Sequence, residues 1–310
     1  MEIATVLSSV SMMGIIIIFG FLIGKTFPVT EGSKQLLVII IINIAVPSII
    51  LNGIFNIEMN DQLLLKMLNL FVISILFNAI GIGVGWISAV LFGLRSMNAR
   101  KLAVLAGIGN TGFIGIPVCT SLFGPSGGLL AAIFDAGLDI IVFTLVIVLL
   151  NKDGRFSLSG LKAMLNIPII AIVVGISIAI SEYEPPSLIK NLAAALANLA
   201  APLAMLYIGL LISSFIKGKK VPLRFISISL LMKLLVFPFI IIAILQGIPI
   251  TADLKLIALV QVSMPTFMLA AILFARYGQD EDTAVMTTVY STIFSLITIP
   301  LIVYIATLFF

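Results

Sequence analysis

The sequence predicts an all-α integral membrane protein. It reads as ten transmembrane helices in a five-plus-five inverted repeat, with broken, crossing helices four and nine. Three observations predict this: composition, the sidedness of basic residues, and motifs that recur between the two halves. Of 310 residues, 61% are hydrophobic and 10% charged, against about 45–50% apolar and about 25% charged in soluble domains. The mean hydropathy is +1.30. A water-soluble fold of this size has no room to hide so much apolar surface, so the solvent is lipid. The excess of 17 Lys and Arg over 13 Asp and Glu is then a matter of topology, and no nucleic-acid partner is implied. One cysteine, Cys119, and no histidine exclude an internal disulfide, a cysteine metal cluster and the usual imidazole base. No cofactor is called for. The N-terminus carries Glu2 and no basic run, so the first apolar stretch reads as a retained span and not a signal peptide.

A membrane helix needs about 20 apolar residues. Ten stretches qualify: Val6 to Gly24, Leu36 to Phe55, Leu68 to Leu91, Leu102 to Phe123, Leu129 to Leu150, Leu161 to Ile180, Leu192 to Ile216, Phe225 to Leu245, Leu256 to Ala275, and Ala284 to Phe310. Lys and Arg in short loops mark the cytoplasmic side. One set of alternate loops holds thirteen: Lys25, Lys34, Arg95, Arg100, Lys101, Lys152, Arg155, Lys162, Lys217, Lys219, Lys220, Arg224 and Arg276. The other set holds three, Lys66, Lys190 and Lys255, and only Lys233 lies within a span. This asymmetry predicts a multi-pass protein of the cell membrane with both termini outside.

The halves resemble each other. Span two carries Asn43 to Pro47 (NIAVP) and span seven Asn198 to Pro202 (NLAAP), at an offset of 155. Span four begins KLAVLAG at Lys101 and span nine KLIALVQ at Lys255, at an offset of 154. Repeats of residues 1–151 and 152–310, each with an odd number of spans, must enter the membrane from opposite sides. That is a common plan of secondary transporters.

Span four carries Gly107, Gly109, Gly112, Gly115 and then Pro117. Pro117 has no N–H, so the carbonyl of Phe113 loses its helical partner. Pro265 in span nine does the same to Gln261. In hydrocarbon each unpaired polar group costs several kcal/mol, and such backbone is tolerated where it lines a cavity or is re-satisfied by a neighbour. Both spans are therefore expected to unwind at the midplane and cross. Their half-helix N-termini, with free N–H donors and partial positive charge, would join Asn110 and Thr111 in an anion site. A proline kink packed by small residues is the plainer alternative. Gly20-xxx-Gly24 and Gly81-xxx-Gly85 fit a helix-packing motif.

Three charges lie within spans. Asp135 and Asp139 share a face of span five at i and i+4, and Lys233 lies in span eight. A charge at the membrane centre costs about 2.5–3.5 kcal/mol on insertion scales, so Lys233 is expected to pair with Asp139 or Asp135. Asn78 in span three is close to the matching repeat position. Two readings stand: a proton-coupling cluster and a permanent structural salt bridge.

The function this supports is a secondary transporter of a small organic anion, working by alternating access. No Gly-x-x-x-x-Gly-Lys-Ser/Thr loop occurs, so the drive is a gradient, of protons or sodium, or the membrane potential. Sodium needs oxygen ligands, and Gln261, Ser263 and Thr266 offer them. The rival class is an intramembrane prenyltransferase-like enzyme holding magnesium diphosphate on Asp135 and Asp139. That enzyme needs a second aspartate pair, and no other occurs within the spans.

GNTGFIGIP, Gly109 to Pro117, in the fourth of ten spans resembles the auxin efflux carrier family, which includes plant PIN-type transporters and microbial organic-anion permeases. SMPTFMLAAILFARYG, Ser263 to Gly278, resembles that family's ninth span. The long central loop of the plant members is absent. The resemblance implies a fold like that of the bile acid/sodium symporters, with spans one, two, six and seven as scaffold. Spans three to five and eight to ten would form an elevator-type transport domain. It also implies organic-anion cargo carried between the two, and a homodimer. The matching positions are Asn110, Thr111 and Pro117 on span four, Pro265 on span nine, and Asn43 and Asn198 on the scaffold.

Overall fold

The computed structural model describes residues 3–57, 60–151, 165–181, 183–214 and 223–310. The basic residues Lys152, Arg155, Lys162, Lys217, Lys219 and Lys220, and the start of expected span six, lie outside these. The described residues are helical, with one isolated extended pairing, Gly109 with Thr266. Among the described residues six helices are long and apolar enough to cross a membrane: Glu31–Phe55, Asp61–Leu91, Thr111–Leu150, Ser187–Ser213, Leu223–Gly247 and Glu281–Ala306. Ser11–Thr26 and Ile167–Ile180 are shorter apolar helices. The membrane class read from composition is what the chain forms.

Several spans depart from their expected limits. The third, α4 (Asp61–Leu91), begins seven residues before Leu68. It ends at Gly93, whose φ of 80° is open to glycine. There Leu94 N–H reaches back 2.8 Å to Ala89 O, which satisfies a carbonyl of the last turn. The last helix runs Glu281–Ala306, because Asp280 caps it by accepting from Thr283 N–H at 3.2 Å. Within Thr111–Leu150, Gly124 (φ 71°, ψ −167°) breaks the helix immediately before Pro125. Span five therefore starts four residues earlier than Leu129, on the far side of that break.

Three prolines inside spans are met by a common device, while Pro300 lies within an uninterrupted α-helix. A turn of wider π-type helix occupies Ile41–Ala45 before Pro47, Thr111–Gly115 before Pro117, and Met232–Val236 before Pro238. Each ends two residues short of its proline. The missing N–H and the ring's clash with the carbonyl four residues back are accommodated by widening the helix, as membrane helices permit. A fourth such turn, Val142–Val146, has no proline after it; Thr144 Oγ1 there donates to Ile140 O.

The chain forms two compact units, each drawing on both halves of the sequence. One contains Met1–Leu70, Gly112–Asp135 and Leu165–Lys217; the other contains Phe71–Thr111, Ala136–Met164 and Gly218–Phe310. In the first, α1 (Ile3–Thr26) packs on the helix Ala200–Ser214 with almost no side chain between them. A β-carbon on Gly20 would stand 2.2 Å from Leu206 O, one on Gly24 1.9 Å from Ser213 Oγ, and one on Gly209 2.2 Å from Ile17 O. In the second unit, α4 packs the same way on α5 (Met97–Gly107): Gly85 would meet Ala103 Cα at 2.8 Å and Gly81 would meet Gly107 O at 2.7 Å. Both expected glycine pairs are packing faces, where small residues let backbones approach closely.

Candidate substrate site

The second unit holds two interrupted spans. Helix α5 ends at Gly107, and Ile108 is already extended (φ −101°, ψ 130°). The span-nine helix Ala252–Val262 stops before Ser263, and helix resumes at Leu269–Arg276. Pro265 lies at the centre of that gap, as the sequence predicts. The break in span four does not follow from Pro117, which lies inside the resumed helix; it falls at Ile108 to Asn110, seven residues or more upstream.

The two gaps pair with each other. Gly109 lies opposite Thr266 in an antiparallel bridge, and Asn110 N–H donates 2.7 Å to Pro265 O. Thr266, fully buried, donates its N–H 3.0 Å to Ser291 Oγ and its hydroxyl 2.9 Å to Leu105 O. Thr288 Oγ1 lies 3.4 Å from Phe267 O. Ser263 donates both N–H and hydroxyl to Leu259 O, at 3.0 and 2.7 Å. These bonds answer the cost of unpaired backbone in hydrocarbon, several kcal/mol per group.

This corrects the expectation of free N–H donors at the crossing, since those of Asn110 and Thr266 are engaged. What is left over is a side chain. Asn110 is 5% exposed, and its Nδ2 has no hydrogen-bond partner among the described residues.

A cation stands at the same place. Lys233 is 1% exposed. Its Nζ donates 3.1 Å to Val262 O, the last residue of the Ala252–Val262 helix, and lies 5.3 Å from the Phe237 ring centroid. A helix C-terminus carries roughly half a negative charge, so the ammonium meets a backbone dipole there. A β-carbon on Gly109 would lie 3.1 Å from Nζ: the lysine rests directly on the backbone of the crossing.

Of the other residues expected at the coupling cluster, Gln261 borders the same glycine as Lys233, its carbonyl oxygen 3.4 Å from a β-carbon built on Gly109. Asn78 is buried and spends its amide on its own helix, donating 2.8 Å to Ser74 O and 3.1 Å to Ser74 Oγ. Asp139 is 8% exposed. Gly137, two residues before it, lets span five touch α4, since a β-carbon there would be 2.7 Å from Phe71 O. Gln261 is fully buried in the last turn before the span-nine gap, and its carbonyl accepts from Met264 N–H at 3.3 Å.

The remaining candidates belong to the first unit. Gly112 is the second residue of the resumed part of span four, and a β-carbon on it would be 2.6 Å from Asp135 Oδ2. The half-helix start expected to face a bound anion thus has a carboxylate of the protein beside it, a placement its dipole favours. Gly115 and Pro117 continue that segment, buried. Asn43 lies in the widened turn before Pro47, and Asn198 in a two-residue turn between the helices Ser187–Ala197 and Ala200–Ser214. Both asparagines are exposed on this unit.

The reading from sequence missed the hydroxyl stripe of the last helix. Thr283, Thr287, Thr288, Ser291, Thr292 and Ser295 are all buried. Their spacing of three and four places them on one face, a polar stripe in an apolar span that was there to be read.

A multi-pass helical membrane protein with two mutually paired broken spans and a buried cation between them belongs among transport proteins. The model of the membrane transport protein family matches residues 5–303, and the chain is a member of that family, the auxin efflux carrier family that GNTGFIGIP resembles. An uncharacterized transporter of Methanothermobacter thermautotrophicus is 24% identical over 292 residues, 93% of this chain and 94% of the relative. An uncharacterized transporter of Methanocaldococcus jannaschii is 28% identical over 284 residues, 87% of this chain and 89% of its own.

Proposed function

We propose that this transporter is a secondary carrier of a small organic anion, working by elevator-type alternating access and driven by a proton gradient or the membrane potential. The observation that carries the reading is the pair Lys233 and Asn110 at the crossing. A buried lysine held by a backbone carbonyl offers a carboxylate an ion-pair partner, and Asn110 Nδ2, without a partner among the described residues, offers it a hydrogen bond. Charge-assisted bonds of this kind are the strong ones.

Lys233 also bears on the coupling ion. In secondary transporters, half-helix C-terminal ends and unwound carbonyls coordinate sodium. Here the ammonium already occupies the C-terminal end at Val262, which favours a sodium-independent carrier over a symporter of the bile acid type. The ten-span inverted repeat, the scaffold of spans one, two, six and seven, residence in the cell membrane with both termini outside, and a homodimer complete the proposal. They are supported by the recurring Asn-Xaa-Xaa-Xaa-Pro motifs, by the basic-loop asymmetry and by the family.

The experiment is uptake of labelled mono- and dicarboxylates into proteoliposomes, with and without sodium and across an imposed pH step. Saturable, sodium-independent counterflow is expected, and Lys233→Met abolishes it. Strict sodium dependence, or full uptake by Lys233→Met, overturns the reading.

A further inference from the structure

The second unit has a cleft of about 240 Å³ at the end where Arg95, Arg100 and Lys101 lie. Two helices begin around it, α5 at Met97 and the helix Glu281–Ala306, and the helix Leu223–Leu231 runs beside it. Each supplies lining residues, among them Lys101, Arg224 and Thr283. Helix starts carry partial positive charge and spare N–H donors; Asp280 already caps one of the two, and the start of α5 favours an anion.

The side chains add to this. Lys101 is half-buried and has no ion pair among the described residues. Arg224 makes one long bond, Nη2 to Phe92 O at 3.4 Å, which sets its guanidinium at the rim and leaves most of its five-donor fork. The lining carboxylate, Asp280, is engaged with its own helix, accepting from Thr283 N–H at 3.2 Å and Thr283 Oγ1 at 2.6 Å. The opposite wall is apolar, formed by Leu94, Phe225 and Ile228. The volume is below the roughly 300–1,000 Å³ of drug-sized pockets and suits a headgroup.

We propose that this cleft binds a phosphate ester, its phosphate on Lys101 and Arg224 and its apolar neighbour on Leu94, Phe225 and Ile228. The apolar wall makes an anionic phospholipid at the basic-rich membrane surface the source that fits best, since such surfaces attract basic clusters. The ligand would steady the start of α5, which leads to the crossing.

The test uses the full chain in neutral detergent, titrated with phosphatidylglycerol, phosphatidylcholine or glycerol phosphate. Occupancy is read by native mass spectrometry and by the shift in unfolding temperature. Saturable binding of phosphatidylglycerol is expected, weakened about tenfold or more by Lys101→Gln/Arg224→Gln, as loss of charge-assisted bonds requires. The surface control Lys25→Gln/Arg276→Gln leaves it unchanged. Leu94→Trp, which keeps both cations and fills the apolar wall, weakens the lipid more than glycerol phosphate and serves if the double variant does not fold. Equal binding of glycerol phosphate and lipid, still lost in the double variant, supports the same site with a soluble ester. Equal loss in the surface control, or no preference for phosphatidylglycerol over phosphatidylcholine, overturns the proposal. Each arm reads binding without transport, so its outcome is separate from that of the carrier reading.

Discussion

Thr266→Val tests whether the crossing is held by the bonds described. Valine keeps the shape of threonine and removes the hydroxyl that donates 2.9 Å to Leu105 O. Both residues are fully buried, so no water replaces the lost donor. Leaving a buried carbonyl short of a partner costs about 1–3 kcal/mol, while side-chain bonds between membrane helices average about 0.6 kcal/mol in double-mutant cycles. The full burial of Leu105 favours the upper range, and we expect a loss of about 1–3 kcal/mol and a fall of several degrees in unfolding temperature. Fluorescence of Trp86, the chain's single tryptophan, reports it, because Trp86 lies on α4 in the same unit. Thr288→Val is the comparison. Its bond to Phe267 O spans 3.4 Å, at the limit of a hydrogen bond, and its removal costs little. If Thr266→Val is as stable as the parent, or Thr288→Val costs as much, the crossing is held by packing and the reasoning fails.

Asn110→Ala is expected to change stability by no more than about 1 kcal/mol, because the small cavity it leaves is offset by removing a buried polar group whose Nδ2 has no partner among the described residues, while uptake in proteoliposomes is lost. Retained uptake removes the amide from the site. Gly20→Ala is destabilising by at least about 1–3 kcal/mol, because a β-carbon would lie 2.2 Å from Leu206 O. By contrast Gly14→Ala, with nothing within 4 Å, is neutral or stabilising by up to about 1 kcal/mol; melting curves of the pair decide. Lys190, 2.7 Å from Glu184, holds the Glu184 carboxyl below its ordinary value of 4.5. A lowered folded value gives stability that is present above pH 4.5 and lost as pH falls through the folded value. Both groups are at the surface, so Lys190→Gln should move the unfolding temperature by less than about 1 °C and erase only a shallow slope on the acid side.

The sequence by itself determined the solvent, the helical class and several faces. Hydropathy is a property of each residue and sums along the chain, so the membrane class needed no coordinates. Gly20, Gly24, Gly81 and Gly85 announced their role because spacing by four puts small residues on one side of a helix whatever the partner turns out to be. The gap at Pro265 was legible for the same reason: a missing N–H is local chemistry. Only the tertiary structure decided where the exposed backbone groups and charges went. The span-four break moved from Pro117 to Gly109 because a widened turn absorbs the proline, while Gly109 is pressed between Thr266 and Lys233. The ammonium of Lys233 went to Val262 O, 29 residues away, and the hydroxyl of Thr266 to Leu105 O, 161 residues away. A residue's hydrogen-bonding capacity is written in its side chain, but its partner is whichever helix end the packing brings alongside.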